Sequence, residues 1–419
     1  MADQARSYFK NFVLLFTGNS VSQVIPFLLA PVIGRIFSPE ELAVQENFIA
    51  IASMLAIVAA GRYEIAFVLP KTQAKANNLF ALTLFILASV SFLSFALVFF
   101  PEEISAWYKD ETLGKFMVYV APVVLLLGLN NILIQWMIRF GKYSWVSGAR
   151  IAQSVVQYGG YAITGYLGWG IYGLLIALII GNLSPALLLI FPSLKNFNAK
   201  DVNSKEISAV AHEYKDFPII NSIHAFTDLF ATQFLLFWLI TRNYGPAALG
   251  LFAIMTRYLR GPLSLIGGAV GQLYYREASD AKNNGRSIVP VFNRSVLIAA
   301  AAAIPAMGII FFFGPDIFAI YLGEKWRLAG EYAAIMAPAL VFISIASPVS
   351  ATPLIFEKQK TAYLLSLSAY VLMLGSVFFG AHSGYEFRTI VILYSITTSI
   401  FYLALFLWYG ILIRKNTLR

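Results

Sequence analysis

Apolar stretches of about twenty residues recur about a dozen times along this chain, separated by short polar loops. An α-helix needs about 20 such residues to cross a hydrocarbon core of roughly 30 Å, so the pattern specifies a polytopic membrane protein. The composition agrees, at 59% hydrophobic and 12% charged residues over 419 positions. A soluble domain this apolar would expose far more hydrophobic surface than a monomer tolerates. The runs are too long for barrel strands and lack their alternation. Helices also satisfy their own backbone hydrogen bonds in lipid. The expected fold is therefore all-α.

Twelve crossings are expected. They fall near 12–34, 45–69, 78–100, 114–138, 146–167 and 170–192, then 217–240, 247–271, 289–313, 329–352, 361–380 and 389–413. Proline makes 329–352 a candidate broken helix. Loop Lys and Arg set the orientation. One side holds Arg6, Lys10, Lys71, Lys75, Arg139, Lys142 and Arg150, the run Lys195 to Lys215, the group Arg276 to Arg294, Lys358, Lys360 and the basic tail. The other side holds only Arg35, Lys109, Lys115, Arg242, Lys325, Arg327 and Arg388. Both termini are expected in the cytoplasm. The same dispersed cations account for the net charge of +9 and argue against nucleic acid as a partner. The first helix carries Asn19, Ser20, Ser22, Gln23 and Pro26 and precedes further spans, so it reads as a permanent helix, not a cleaved leader. The chain has no cysteine, which excludes disulfide and thiol chemistry.

The two halves resemble each other. Lys10-Asn11-Phe12 opens the first helix and Lys215-Asp216-Phe217 the seventh. Beyond them lie Ser38-Pro39-Glu40-Glu41-Leu42-Ala43 and Gly245-Pro246-Ala247-Ala248-Leu249-Gly250. Six helices return the chain to its starting side, so the copies are parallel repeats. A substrate site is then expected between two six-helix lobes, 1–205 and 206–419, joined by the loop at about 194–216.

Charged and polar groups at membrane depth are expensive and mark function by default. Arg257 and Arg260 lie three residues apart in the eighth span, on one helical face, before an expected kink at Gly261-Pro262. Arg62 and Glu64 fall in the near half of the second span. They read equally as a structural pair. Asp228 lies mid-way along the seventh span with His224 one turn earlier and Asn221 beyond. At the repeat offset, His224 and Asp228 fall on Asn19 and Gln23. Gln153, Gln157, Tyr161 and Thr164 form a stripe on the fifth span. These groups point to a hydrated, cationic cavity, against the plainer reading of interhelical hydrogen bonds worth about 0.6–2 kcal/mol each. Trp107, Tyr108 and Trp326 are read as an interfacial belt. No phosphate loop, metal-ligand cluster or catalytic constellation occurs, so neither a cofactor nor an enzyme is expected.

Four segments carry a family resemblance. They are Gly61-Arg62-Tyr63-Glu64-Ile65-Ala66 before Leu69-Pro70-Lys71, Glu213-Tyr214-Lys215-Asp216-Phe217-Pro218, the turn from Tyr244-Gly245 to Gly250, and Gly323-Glu324-Lys325-Trp326. With the spans and intramembrane arginines, the chain resembles bacterial O-antigen and polysaccharide flippases. Their superfamily also contains lipid II flippases and multidrug exporters. The resemblance implies two lobes around a cationic cavity, alternating access, and a plasma (inner) membrane location. It also implies an undecaprenyl-diphosphate-linked oligosaccharide as substrate, with membrane lipids and other polysaccharide assembly proteins as partners. Arg257, Arg260 and Arg62 would meet the diphosphate. H+ or Na+ coupling would use Asp228, His224 or Glu64, and Asn19, Gln23, Gln153 and Gln157 would line the cavity. A cation-coupled drug exporter of the same fold is the alternative. A membrane glycan polymerase or ligase is a third reading, disfavoured by the short outer loops.

Overall fold

The computed structural model describes the backbone of residues 2–417 and the side chains of residues 18–219 and 222–415. The described residues are almost wholly helical, with no strand among them. Their packing divides the chain into two compact units, residues 1–246 and 247–419. This division lies later than the repeat-based one after residue 205, because the segment ending at 246 docks on the first unit. Asn47 Nδ2 donates to Thr241 Oγ1 at 2.9 Å, and Trp238 and Arg242 both donate to the Trp107 carbonyl.

The first unit holds α1 (Ala2–Ile36), α2 (Pro39–Ala59), α3 (Gln73–Ser94), α4 (Pro101–Tyr108) and α5 (Glu111–Lys115). It continues with α6 (Val120–Arg139), α7 (Tyr143–Tyr166), α8 (Gly170–Leu194), α9 (Ser204–Glu213) and α10 (Ser222–Leu229). Local sequence sets the ends. Ser38 closes a capping box with Glu41, at 2.9 and 3.2 Å, while Pro39 occupies the first turn, where its missing N–H costs nothing. Asp110 Oδ1 caps α5 through Thr112 and Leu113.

The core at one end of this unit is aromatic. Trp136 stands edge-on to Phe67 at 5.4 Å between ring centres and lies 4.4 Å from Phe80, with its Nε1 donating to the Ser193 carbonyl. The expected connector at 194–216 is not an open loop. It contains α9 and a short turn fixed to the start of α3. Asn78 bonds the Asp201 carbonyl and the Asn203 N–H at 2.8 and 2.9 Å, Asn77 bonds Asp201 at 2.7 Å, and Lys75 pairs with Glu213 at 3.0 Å.

α11 (Leu236–Asn283) breaks once, at Gly245, whose φ of 83° and ψ of 166° glycine adopts without the Cβ penalty. Pro246 then restarts the helix, as Pro39 does after Ser38. The dihedrals stay helical through Gly261-Pro262, so the helix is continuous there. The second unit adds α12 (Val289–Leu322), α13 (Arg327–Ala346), α14 (Thr352–Ile355), α15 (Gln359–His382) and α16 (Phe387–Thr417). The expected break in 329–352 is present, as a tight turn over Ser347–Val349. Part of the core gathers Tyr274, Phe292, Val349, Ile355 and Tyr409, and the Tyr274 hydroxyl meets Thr352 Oγ1 at 2.6 Å.

Ten segments among the described residues are long and apolar enough to span a bilayer. One of them, 217–283, is divided by Gly245 and supplies two crossings. α7 is too polar to qualify on hydropathy but is 24 residues long and packs between α1 and α8. The expected twelve are therefore accounted for.

Two sequence expectations need correction. Tyr108 and Trp326 are 1% and 0% exposed, so both are core residues; of the three belt aromatics only Trp107 is exposed. The second crossing ends at Ala59, well before residue 69, for the reason given next.

Candidate functional site

α2 cannot continue past Ala60 because Gly61 and Arg62 both adopt left-handed backbone, at φ of 58° and 56°. For Arg62 that conformation costs roughly 1–2 kcal/mol, so it is held by its surroundings. The chain then runs as a tight 3-10 segment, Tyr63–Val68. Arg139 at the end of α6 clasps it, donating to the Phe67 carbonyl at 2.5 Å and the Pro70 carbonyl at 3.1 Å. Tyr63 donates from its hydroxyl to the Ala211 carbonyl on α9. Arg62 and Glu64 therefore lie in this strap and not on a membrane-spanning helix. They approach within 3.9 Å, with Glu64 buried. Burial pushes the Glu64 carboxyl up from its usual range, opposed by a backbone hydrogen bond and by the Arg62 charge.

Arg257 and Arg260 lie on the part of α11 that belongs to the second unit. Their three-residue spacing keeps them on one face of an unbroken helix. Arg257 is half-buried and within electrostatic reach of the Tyr258 hydroxyl. Arg260 is exposed and hydrogen-bonds the buried Tyr394 of α16. A guanidinium can reach a phenol with one N–H and keep other donors for a ligand.

His224 and Asp228 occupy α10, one helical turn apart, and both are exposed. π-helical turns flank this short helix, over Phe217–Asn221 and Phe230–Leu235. Such turns are rare and widen the helix locally. The side chain of Asn221 lies outside the described residues, as do those of Lys10, Asn11 and Phe12 in the repeat.

The first unit contains a polar seam between helices. Gln45 and Gln157 both donate to the Tyr161 hydroxyl at 2.7 Å. Gln153 donates to Asn182 Oδ1 at 2.9 Å, and Asn130 to the Asn182 carbonyl at 2.8 Å. Thr164 turns back onto the Gly160 carbonyl. Gln153 thus ties α7 to α8 and Gln45 ties α2 to α7, while Gln157 bonds within α7. Asn19 and Gln23 are half-buried on α1, and Asn19 Oδ1 accepts from Arg150. Arg150 is a correction: it is not a loop cation but a half-buried residue within α7, which begins at Tyr143. Its place on the stripe Arg150, Gln153, Gln157 was the available signal.

The sequence profile of the polysaccharide biosynthesis protein family matches residues 15–331. The chain belongs to this family. The match includes the strap, α7 and both α11 arginines. No curated protein sequence matches the chain. Among solved structures, it resembles an inward-facing multidrug resistance MATE family transporter of the MOP superfamily. The TM-score is 0.76 at 14% identity, covering 95% of this chain and 98% of that one. It also resembles the lipid II flippase MurJ in an inward closed conformation, with TM-score 0.71, 16% identity, and coverage of 96% and 87%. A MOP superfamily transporter from Pyrococcus furiosus matches at TM-score 0.63 and 15% identity, covering 97% and 96%. The fold of this family member is therefore that of MOP superfamily transporters, and it is a multi-pass membrane protein.

Proposed function

We propose that this protein is a flippase for an undecaprenyl-diphosphate-linked oligosaccharide, moving it from the inner to the outer leaflet of a bacterial plasma membrane by alternating access. The observation that carries this reading is the pair Arg257 and Arg260, on one face of a membrane-embedded helix in a polysaccharide biosynthesis family member. A lipid diphosphate carries about two negative charges, and arginine's planar fork matches phosphate oxygens bidentately. The polyprenyl tail can remain in lipid while the glycan passes through protein. Outward movement of the anion is aided by roughly 2.3 kcal/mol per charge for a potential of about 100 mV.

The drug-exporter reading shares the fold. A cationic drug needs acidic partners at membrane depth. Here Asp228 is exposed on the short helix α10, while Glu64 lies in the strap and is already near Arg62.

Depletion of the protein should make a lipid-linked glycan accumulate on the inner leaflet while total synthesis continues. Unchanged leaflet distribution in depleted cells would refute the flippase reading. Orientation is tested separately. Reporter fusions after Lys75, Lys205 and Lys282 should give cytoplasmic signals, and fusions near Lys109 and Lys325 outer ones. A cytoplasmic signal at Lys109 would invert the proposed topology.

A further inference from the structure

Arg150 differs from the ion-paired arginines of the described structure in meeting a neutral partner, as Arg35, Arg139, Arg242 and Arg260 also do. Arg286 and Arg327 pair with carboxylates at 2.5 and 2.6 Å, Arg294 pairs with Glu277, and Arg139 is spent on two carbonyls. Arg150 is half-buried within α7, and the partner it meets is the neutral amide of Asn19. An amide accepts one hydrogen bond but does not compensate the charge. Arginine cannot shed that charge by deprotonating. A guanidinium has five N–H groups, so donors remain for a further ligand.

The setting is rigid. One turn before Arg150, Ser147 abuts Gly18 of α1 so closely that a Cβ on that glycine would lie 2.5 Å from the serine Oγ. One turn after, Ser154 donates to the Ser22 carbonyl of α1 at 2.6 Å. α1 is therefore pinned to α7 on both sides of the Arg150–Asn19 contact. Gln23 follows Asn19 by one turn on α1, and Gln153 follows Arg150 on α7. A fixed cation among neutral amides, with no acid paired to it among the described residues, is built to receive an anion with hydrogen-bonding oxygens.

We infer that Arg150 and Asn19 form a second anion site, within the first unit, that takes the diphosphate of a prenyl-linked substrate. This rests on the flippase reading for the identity of the anion. Asn19 holds the guanidinium in place, and Arg150 contacts the phosphate oxygens.

The test measures binding of geranyl diphosphate, and separately of inorganic diphosphate, to the purified full-length protein in neutral-lipid nanodiscs. Wild type should bind geranyl diphosphate, and Arg150→Gln should weaken it roughly tenfold, the loss of one charge-assisted contact. Arg150→Lys should recover part of the loss. Asn19→Asp is the decisive variant, because it gives Arg150 an internal carboxylate. It should raise the thermal midpoint through the new ion pair and still weaken diphosphate binding. A merely structural Arg150 would give the stabilisation without the loss, and that result overturns the proposal. Binding of inorganic diphosphate equal to that of the geranyl form, lost equally in Arg150→Gln, would assign the site to free anions and overturn the lipid-linked assignment. Wild-type diphosphate binding in both Arg150→Gln and Asn19→Asp, with export still lost in Arg257→Ala, would remove this site and leave the flippase reading intact. Arg150-dependent binding without glycan accumulation on depletion would do the reverse.

Discussion

Arg257→Ala should reduce glycan export by one to two orders of magnitude while the protein inserts at its normal level. The estimate follows from one charge-assisted contact to phosphate, worth about 1.5–3 kcal/mol, being lost at the step where the anion is held away from water. Arg257→Lys should restore only part of the activity, since an ammonium keeps the charge and loses the planar fork. Arg260→Ala should act in the same direction. Arg260 is exposed and hydrogen-bonded to Tyr394, so Tyr394→Phe gives a graded control. It leaves the charge and frees its orientation, and export should fall less than in Arg260→Ala. The readout is surface glycan normalised to the amount of protein in the membrane. Wild-type export in an Arg257→Ala, Arg260→Ala double mutant would sink the phosphate-clamp role of this helix.

The crossings were legible because each span declares itself. In lipid the helix must close its own hydrogen bonds, so length and hydropathy are enough for all of them but the more polar α7. The pair on α11 was legible for the same reason, since two arginines three residues apart in an apolar run can only share a face. Arg150 was not, because it falls at the start of the expected span 146–167 and was counted with the loop cations. α7 in fact begins at Tyr143 without a side-chain cap, which brings Arg150 two turns inside. The strap was hidden by the opposite effect. Ile65 to Leu69 continues the apolar run of α2, and only Gly61 marks the left-handed turn that ends the helix. Tyr108 and Trp326 were misplaced because aromatics near span ends usually anchor at the interface. Pro101 at the start of α4 and Asp110 as the cap of α5 were the signals for two short helices, α4 ending on the buried Tyr108. Gln153, whose partner Asn182 lies on α8, shows what composition cannot separate. A polar stripe along a helix serves a cavity or a seam equally well, and the partner atoms on other helices distinguish the two.

The second large effect concerns stability. α12 and α13 pack through backbone at Gly314 and Gly330: a Cβ on Gly314 would lie 2.6 Å from the Gly330 carbonyl oxygen, and one on Gly330 would lie 2.6 Å from Pro315 Cα. Small residues at such crossings supply the close packing that associates helices in lipid, where no hydrophobic force between helices exists. The atoms in the way are main chain, so they cannot swing aside as a side-chain tip would. Gly330→Ala should therefore cost about 1–3 kcal/mol or more, as overpacking does. The intrinsic helix gain of alanine over glycine, about 1 kcal/mol, offsets only part of this. Purified Gly330→Ala should melt several degrees below wild type and shift towards aggregates on size exclusion. Gly308, also on α12, has nothing within 4 Å of the corresponding Cβ position. Gly308→Ala should match or exceed the wild-type midpoint, which separates the crossing from a general intolerance of alanine. Equal midpoints for Gly330→Ala and wild type would show that the two helices separate without cost, and the close α12–α13 crossing would lose its role in holding the second unit together.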